Sequence, residues 1–259
     1  MKPNRDKKEK IYIYGKHALA EALEHAARAV RKVFLAPEAS RDEELRALLS
    51  KRHVTAESLK NRGADRMVGV ETAHQGVIAI VDPAAITVDF RDFAEQAASD
   101  VRHPTEGHRT PMLVLLDELT DPHNVGAIIR SAAAFGAAGV LIPSHNQAPI
   151  TGAVVKSSAG MVFRIPIVQL GNVNQAIDQL KEIGFKTYGL AMRGSIPLAD
   201  EPFDTPALII VGNEGKGIRQ KTIERCDVTL RIPMDPRAES LNASVSAAIV
   251  LYQWSLRHL

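Results

Sequence analysis

Apolar and polar residues alternate along the first third of the chain in segments of strand and helix length. Three apolar runs are typical of strands: "IYIY", "VRKVFLAP" and "GVIAIVDP". Between the second and the third, "RDEELRALLSKRH" places Leu45, Leu48 and Leu49 on one face of an amphipathic helix. A polar segment with proline and glycine but no periodicity follows at 98–111. We therefore predict a basic tail over 1–10, a small α/β unit over 11–82 and a linker over 83–110.

A second alternation of strand-like and helical segments follows the linker. Its strand-like segments are "MLVLLDEL", "AAGVLIP", "FKTYGLAM", "ALIIVG" and "VTLRIPM". Helical segments separate several of them, and nearly continuous apolar strands joined by helices are typical of a mostly parallel sheet covered on both faces. In the closing helix we expect Val245, Ala248, Ile249 and Tyr252 to form the core-facing stripe. The predicted fold class is α/β, and the second domain covers 111–259.

Composition and charge change this picture little. The 259 residues are 45% hydrophobic and 24% charged, as in an ordinary soluble globular protein. A net charge of +2 permits an RNA partner without demanding one, so any nucleic-acid affinity must come from local patches. The charged start "MKPNRDKKEK" leads into no long apolar stretch. This pattern predicts neither a signal peptide nor a membrane anchor, and therefore a cytoplasmic protein.

Cysteine and histidine usage argues against several kinds of site. The single cysteine, Cys226, excludes a disulfide framework and a cysteine-rich metal site, and we expect it to be a small half-buried residue. No histidine has another His, Asp or Glu at a convincing ligand spacing, so no metal is predicted. No G-x-S-x-G elbow occurs, and no Ser-His-Asp triad can be inferred. The candidate chemistry therefore lies in three loops of the second domain.

The first loop and its helix are "DELTDPHNVGAIIRSAAAFG". Asp121 can cap the helix and Gly136 can end it in a left-handed conformation, so both have a structural explanation. Asn124 and Arg130 are less well explained by structure. Arg130 follows Gly126 by one helical turn, which places a long cation above a residue without a side chain. The backbone of a ligand could approach there.

The second loop, "IIVGNEGKGI", follows an apolar strand and has the pattern G-x-x-G-x-G. A dinucleotide-binding loop needs G-x-G-x-x-G, and a P-loop needs Lys and Ser or Thr after its second glycine. Neither pattern is present, since Ile218 and Arg219 follow Gly217. Glu214 in the middle of the loop would repel a phosphate. A ligand with little negative charge, contacted by backbone groups, remains possible.

The third loop, within "RIPMDPRAESLNASVSAAI", holds an extended bend with two prolines before the last helix. Ser240, Leu241 and Asn242 lie at the start of that helix, where backbone N–H groups are free. Ser240 or Asn242 could simply cap the helix, or could take part in a site. The local spacing leaves both interpretations open.

In this order, the three loops resemble the three motifs of the SpoU family of RNA ribose 2'-O-methyltransferases. The matching stretches are "DPHNVGAIIRSAAAFG", "IIVGNEGKGI" and "IPMDPRAESLNASVSAAI". In the first domain, "IYGKHALAEAL" and "HQGVIAIV" resemble the small ribosomal-protein-like RNA-binding domain of the branch that modifies large-subunit rRNA. The resemblance implies RNA as the partner, a guanosine in the peptidyl-transferase loop of 23S rRNA as the target, and neither DNA nor a membrane.

The resemblance also implies an α/β domain with a C-terminal trefoil knot, S-adenosylmethionine as methyl donor, and a homodimer through the methyltransferase domain. Motif matching places four residues at the reaction site: Asn124, Arg130, Ser240 and Asn242. It places cofactor contacts at Gly212, Ile232 and Leu241, with Met234 as a further candidate. Glu214 is expected to brace the loops of the knot.

The matching arginine has been proposed as the base in this family, but a guanidinium rarely loses its proton. Our hypothesis is that Arg130 steadies the alkoxide that develops on the ribose, helped by a substrate phosphate. Asn124 and Asn242 would orient Arg130 and the ribose, with Ser240 hydrogen-bonding beside them.

Three alternatives stay open. The chain could methylate tRNA or another rRNA position. It could be a non-catalytic RNA-binding protein of ribosome assembly, although the intact motif residues argue against decay. A dinucleotide-dependent dehydrogenase is the weakest alternative, because its glycine spacing and its acidic ribose partner are not evident.

Overall fold

A computed structural model describes residues 10–69, 72–103 and 110–257. The chain divides into two compact units. Unit 1 consists of Met1–Thr87 and Ile150–Arg164, and unit 2 consists of Val88–Pro149 and Ile165–Leu259. Each unit is built on its own sheet, with helices packed on it. The predicted α/β class is confirmed.

Strands and helices follow one another along both units. The strands are β1 (Ile11–Tyr14), β2 (Val30–Leu35), β3 (Ala56–Ser58), β4 (Val77–Val81), β5 (Thr87–Asp89), β6 (Met112–Asp117), β7 (Gly139–Pro143), β8 (Ile167–Leu170), β9 (Lys186–Leu190), β10 (Ile196–Pro197), β11 (Ala207–Gly212) and β12 (Val228–Arg231). The helices are α1 (Lys16–His25), α2 (Glu43–Lys51), α3 (Asn61–Val68), α4 (Phe90–Arg102), α5 (Pro122–Ala134), α6 (Gly152–Ser157), α7 (Val173–Glu182), α8 (Gln220–Ile223) and α9 (Ala243–Ser255). None of these helices is long and apolar enough to cross a membrane.

Unit 1 has a four-stranded sheet of order β1-β4-β2-β3. β4 pairs antiparallel with both β1 and β2, while β3 is parallel to β2. Along β1, Ile11 and Ile13 are buried and the intervening Tyr12 is half-buried, which is the alternation of a strand with one core-facing side. In α2, Leu45 and Leu49 are buried, as the helical spacing predicts.

Unit 2 has an eight-stranded sheet of order β10-β12-β9-β11-β6-β7-β8-β5. The paired strands from β10 to β8 are all parallel, so the predicted mostly parallel sheet is confirmed. Residues of both central strands, β6 and β11, are buried on both faces, because helices cover the sheet on each side. The carboxyl ends of parallel strands meet at one edge, and there the loops after β6, β11 and β12 come together.

The predicted linker differs from the structure over much of its length. Residues 83–103 contain a short 3-10 turn, β5 and α4, and residues 104–109 lie outside the described part of the chain. Asp89 caps α4 by accepting a hydrogen bond from the N–H of Arg91. The apolar side of α4 packs on the core of unit 2 through residues spaced three and four apart: Phe90, Phe93, Ala97 and Val101. A helical period was therefore present within the segment predicted to be a linker.

The segment Ile150–Arg164 lies in unit 1 although the sequence places it within the second domain. Gly152 approaches β1 so closely that an added Cβ would lie 2.2 Å from the carbonyl oxygen of Tyr12. At the end of the segment, the Arg164 guanidinium donates two hydrogen bonds, at 2.5 and 2.8 Å, to the carboxylate of Glu21, which is 5% exposed. Unit 1 is thus completed by a piece of chain distant in sequence.

The predicted core stripe of α9 is wrong. Val245 is 45% exposed and Tyr252 is 51% exposed. The buried side of the helix consists of other residues: Ala243, Ala247, Val250, Leu251 and Trp254. Because α9 is apolar around most of its circumference, the pattern alone could not show which side faces the core.

Candidate active site

The first loop leads from β6 into α5 as the sequence predicts. The side chain of Asp121 accepts a hydrogen bond from the N–H of His123 at 2.8 Å and caps the helix. The apolar face of this helix is fully buried: Val125, Ile128, Ile129 and Ala132. Gly136 has a φ of +78°, which gives the left-handed stop. Asn124, at the start of the helix, is 8% exposed, so its amide must find partners inside the protein.

The glycines of the second loop close the loop on itself. The N–H of Asn213 donates to the carbonyl of Gly217 at 3.0 Å, and the N–H of Gly217 donates back at 2.8 Å. A Cβ on Gly212 would lie 2.3 Å from the backbone of Gly217, whose own φ is +70°. The folded loop itself therefore requires glycine at both positions, and the G-x-x-G-x-G pattern needs no phosphate to explain it.

Asn213 is a structural residue of the second loop that the sequence interpretation missed. Its side-chain oxygen accepts hydrogen bonds from the N–H groups of Gly215 and Lys216, at 3.0 and 3.1 Å. Its amide donates to the carbonyl of Glu118 at 2.9 Å and so ties the second loop to the first. An asparagine followed by glycine two residues later is a signal for such an Asx turn.

Arg219 anchors the far end of the second loop. The carboxylate of Asp117, which is fully buried, accepts hydrogen bonds from the backbone N–H of Arg219 at 3.0 Å and from its Nε at 2.8 Å. Glu118 lies 3.3 Å from the same guanidinium. A buried carboxylate needs such a partner, so this ion pair fixes the loop to the end of β6. The sequence interpretation did not identify it.

One residue from each of the three loops meets at a single point. The amide nitrogen of Asn124 donates to Oε1 of Glu214 at 2.5 Å. The amide nitrogen of Asn242 donates to the side-chain oxygen of Asn124 at 3.0 Å. These contacts join positions 90 and 118 residues apart in the chain. The structure therefore brings together three of the predicted site residues.

Arg130 and Ser240 are exposed, and within the described residues neither side chain makes a hydrogen bond or an ion pair. The amides of Asn124 and Asn242 bind each other and Glu214, which differs from the hypothesis that they orient Arg130. Asn242 also caps α9, since its side-chain oxygen accepts from the N–H groups at the start of the helix. Asn242 thus caps α9, and it also bonds to Asn124 of the first loop.

Other candidate chemistry is weaker. No group of three or more His, Cys, Asp or Glu side chains in the described ranges is arranged to hold a metal ion. Cys226 is half-buried, as expected, and burial raises the pKa of its thiol to about 12, so it stays protonated at neutral pH. The predicted site residues that meet lie in loops at the carboxyl edge of the parallel sheet, which is where α/β proteins commonly bind their ligands.

Two known sequence families match the chain. The SpoU rRNA Methylase family matches residues 111–252, and the family described as RNA 2'-O ribose methyltransferase substrate binding matches residues 12–87. The chain belongs to the SpoU rRNA methylase family. It is an RNA 2'-O-ribose methyltransferase that uses S-adenosylmethionine as methyl donor.

Individual proteins are similar over nearly the whole chain. The 23S rRNA (guanosine-2'-O-)-methyltransferase RlmB of Pseudomonas syringae pv. tomato is 35% identical over 243 residues, 93% of each chain. A Mycobacterium avium protein described as an uncharacterized tRNA/rRNA methyltransferase is 40% identical, over 74% of this chain and 59% of its own length. The crystal structure of the SpoU methyltransferase AviRb from Streptomyces viridochromogenes, in complex with AdoMet, superposes with a TM-score of 0.80. It is 26% identical and covers 98% of this chain and 93% of its own.

The residues matched to the cofactor fit S-adenosylmethionine in their chemistry. Leu241 is a large apolar side chain left 37% exposed directly before Asn242, and such a surface suits the packing of an adenine. Ile232 and Met234 are half-buried on the irregular segment after β12. The second loop supplies the acid Glu214, which suits a cationic sulfonium better than a phosphate.

Proposed function

We propose that this enzyme methylates the ribose 2'-hydroxyl of a guanosine in the peptidyl-transferase loop of 23S rRNA during ribosome maturation. The observation that carries the proposal is the 35% identity, over 93% of the chain, to a protein named as a 23S rRNA guanosine methyltransferase. The match of residues 12–87 to the substrate-binding family supports it, because that unit is the part of the chain expected to hold the RNA. We further propose that the enzyme acts in the cytoplasm.

Mass-spectrometric mapping of 2'-O-methylation in the presence and absence of this protein tests the target. We expect one guanosine of the peptidyl-transferase loop to lose its methyl group in a deletion strain and to regain it when the gene is restored. A tRNA position or a different rRNA position that responds in the same way would replace the proposed target. Rescue by the wild-type chain but not by an Arg130→Ala variant separates methylation from mere binding.

We propose that Arg130 steadies the negative charge that develops on the attacking ribose oxygen. S-adenosylmethionine supplies a methyl group activated by its sulfonium charge. The 2'-hydroxyl is a weak nucleophile while it is protonated, so charge stabilisation on oxygen and alignment are the contributions that the protein can make. Arg130 is suited to this role because its exposed guanidinium has no partner within the described residues. A guanidinium also presents planar, charged N–H donors that suit a developing oxyanion.

The other site residues have supporting roles in this proposal. Asn124, Glu214 and Asn242 hold the three loops in a fixed relation, which aligns the groups around the ribose. Ser240, exposed beside Leu241, hydrogen-bonds to the substrate ribose. The cofactor is held by the backbone near Gly212 and by apolar contacts from the segment that follows β12.

We infer that the C-terminal part of the chain forms a trefoil knot. The support is that α9 and the segment before it contact elements from earlier in the chain: α9 packs against α5 and β11, and Asn242 bonds to Asn124. An experimental structure in which residues 212–219 and 232–242 are traced tests this inference, since the knot requires one of these segments to pass through the other.

We also propose a homodimer through the methyltransferase domain. Val245, Tyr252 and Leu256, exposed at 45%, 51% and 54%, are spaced seven and four residues apart and therefore lie on one side of the C-terminal helix. Phe135 extends this apolar surface, with its ring 5.8 Å from that of Tyr252. Such a surface is typical of an interface between subunits.

Sedimentation of the wild type and of a Tyr252→Glu variant tests the dimer. We expect the wild type to sediment as a dimer and the variant as a monomer with the same helix content. A wild type that stays monomeric at the concentration of the assay would contradict the proposal. Lys221→Gln, an exposed change on α8 outside this surface, lowers the net charge by the same one unit and is the charge-matched control.

A further inference from the structure

The side-chain oxygen of Asn242 accepts hydrogen bonds from three donors at the start of α9. They are the N–H of Ser244 at 2.8 Å, the hydroxyl of Ser244 at 2.6 Å and the N–H of Val245 at 3.3 Å. A backbone N–H can only donate, so the oxygen of this amide must face the helix. The orientation of an asparagine amide is often ambiguous, but here its partners decide it.

The orientation of Asn242 also decides which group donates in the next two hydrogen bonds. With its oxygen held by α9, Asn242 must turn its NH2 group toward Asn124, whose oxygen accepts it at 3.0 Å. Asn124 must then turn its own NH2 group toward Glu214, whose Oε1 accepts at 2.5 Å. The chain of amides thus runs one way, from the helix start to the carboxylate, and Glu214 is its final acceptor.

We propose that Ser244, Asn242 and Asn124 are positioning residues that act through this chain to hold Glu214 in one orientation at the reaction site. The inference deepens the proposed function, because it rests on Glu214 lying beside the reacting groups. Glu214 is exposed on its loop, and a free glutamate side chain would sample many rotamers there. A bond to a buried amide that is itself fixed removes that freedom.

An Asn242→Asp variant separates this role from helix capping. Aspartate caps a helix about as well as asparagine does, so a residue that only caps would tolerate the change. In the directed chain, however, the substitution replaces the NH2 group with an acceptor that faces the oxygen of Asn124. We expect kcat to fall at least tenfold while the KM for S-adenosylmethionine changes little. A wild-type kcat would overturn the proposal.

The double variant Asn242→Asp/Glu214→Gln tests the direction itself. In this variant position 242 is an acceptor and position 214 carries an amide. The amide of Asn124 can then rotate by half a turn, so that its NH2 group donates to the carboxylate at position 242 and its oxygen accepts from the amide at position 214. Every hydrogen-bonding group is then satisfied in the reversed order. We therefore expect the double variant to unfold at a higher urea concentration than Asn242→Asp alone. If the loss in urea midpoint of the double variant equals the sum of the losses of the two single variants, the proposal is overturned.

Substitution of Ser244 tests the hydrogen bond between its hydroxyl and the side-chain oxygen of Asn242, with a smaller expected effect. Ser244→Ala removes one of three donors, and we expect kcat to fall about fivefold, the size typical of one lost hydrogen bond. Ser244→Thr keeps the hydroxyl and should recover most of the rate. Ser246→Ala, on the same helix, is the matched control, since the Ser246 hydroxyl has no hydrogen bond within the described residues. Equal rates for Ser244→Ala and Ser246→Ala would contradict a role for Ser244.

The unfolding measurements need no RNA, whereas the rate measurements do. If the wild type fails to methylate a 23S rRNA fragment, the proposed target fails, while the coupling between positions 242 and 214 still tests the amide chain. If the wild type methylates the fragment and Asn242→Asp does so equally well, the amide chain fails and the proposed target stands.

Discussion

Two regions of unit 2 each carry an arginine, and the two arginines differ in whether their charge is paired with a carboxylate. Arg130 lies on the exposed side of α5, with no partner within the described residues. Arg219 ends the loop after β11, with its guanidinium 2.6 Å from Asp117, which is fully buried. A charge that compensates a buried carboxylate is committed to the fold, whereas an unpaired exposed charge is available to a substrate.

Arg130→Ala is the change with the largest expected effect. We expect the rate of methyl transfer to fall by about 100-fold or more, which is typical of removing one group that stabilises charge in a transition state. Since Arg130 is exposed and has no partner in the part of the chain that the structure describes, the free energy of unfolding should change by less than about 0.5 kcal/mol. Single-turnover rates, cofactor titration calorimetry and urea unfolding measure these quantities.

Arg130→Lys is the control for charge, and we expect it to retain part of the rate because a lysine keeps the positive charge without the planar fork. Full methyl transfer by a folded Arg130→Ala variant would sink the assignment of Arg130 to the site.

Arg219→Ala should have the opposite effects, with a larger loss of stability and a smaller loss of methyl transfer than Arg130→Ala. It leaves the Asp117 carboxylate buried and uncompensated, so we expect the free energy of unfolding to fall by about 3 kcal/mol. Methyl transfer should fall less than in Arg130→Ala, because the second loop loses an anchor but keeps the bonds of Asn213.

The double variant Asp117→Asn/Arg219→Ala tests the cause of this loss. Without the buried charge, the double variant should be more stable than Arg219→Ala alone. Equal stability of the two variants in urea would show that the loss does not come from the uncompensated carboxylate.

Arg164 extends the comparison to a carboxylate pair in unit 1. Its hydrogen bonds hold the pKa of Glu21 below the ordinary value of 4.5. Because the pKa is lower in the folded state, the stabilisation is complete above about pH 4.5 and is lost as the pH falls through the folded pKa. We expect Glu21→Gln to lower stability at pH 7 by about 2 kcal/mol.

Urea unfolding between pH 3 and pH 7 measures this effect. The stability of the wild type should fall toward that of Glu21→Gln as the pH is lowered, so the difference between the two should shrink. A difference that stays constant with pH would exclude the carboxylate as its origin. Since Glu21 lies in unit 1, cofactor binding measured at pH 7 on the folded variant should be unchanged.

The sequence predicted the parts of this molecule that depend on local patterns. The strands β6, β7, β9, β11 and β12 and the helices α5 and α9 lie where the sequence pattern places them. Asp121 and Gly136 begin and end α5 as their residue types predict, since capping depends on neighbours within one turn. The motifs also identified Asn124, Glu214 and Asn242, which the structure brings together.

Contacts between distant parts of the chain could not be predicted in the same way. The pairing of Asp117 with Arg219 spans 102 residues, and that of Glu21 with Arg164 spans 143. Neither pair is visible in a local period, so the placement of Ile150–Arg164 in unit 1 was missed. For α9, the apolar pattern covers most of the helix, and the side that faces the core depends on the sheet to which it is packed.

Arg237→Ala has the smallest expected effect and isolates burial as the variable. Like Arg219, Arg237 makes a two-pronged ion pair, with Nε and NH2 at 2.9 and 3.0 Å from the carboxylate of Asp235. Here, however, both side chains are open to solvent, at 91% and 55% exposure. Water and salt screen such a pair, and holding two long side chains together costs conformational entropy. We therefore expect the urea midpoint to stay at the wild-type value. A fall as large as that of Arg219→Ala would show that pairing geometry, rather than burial of the acid, separates the arginines that stabilise this fold from those available to RNA.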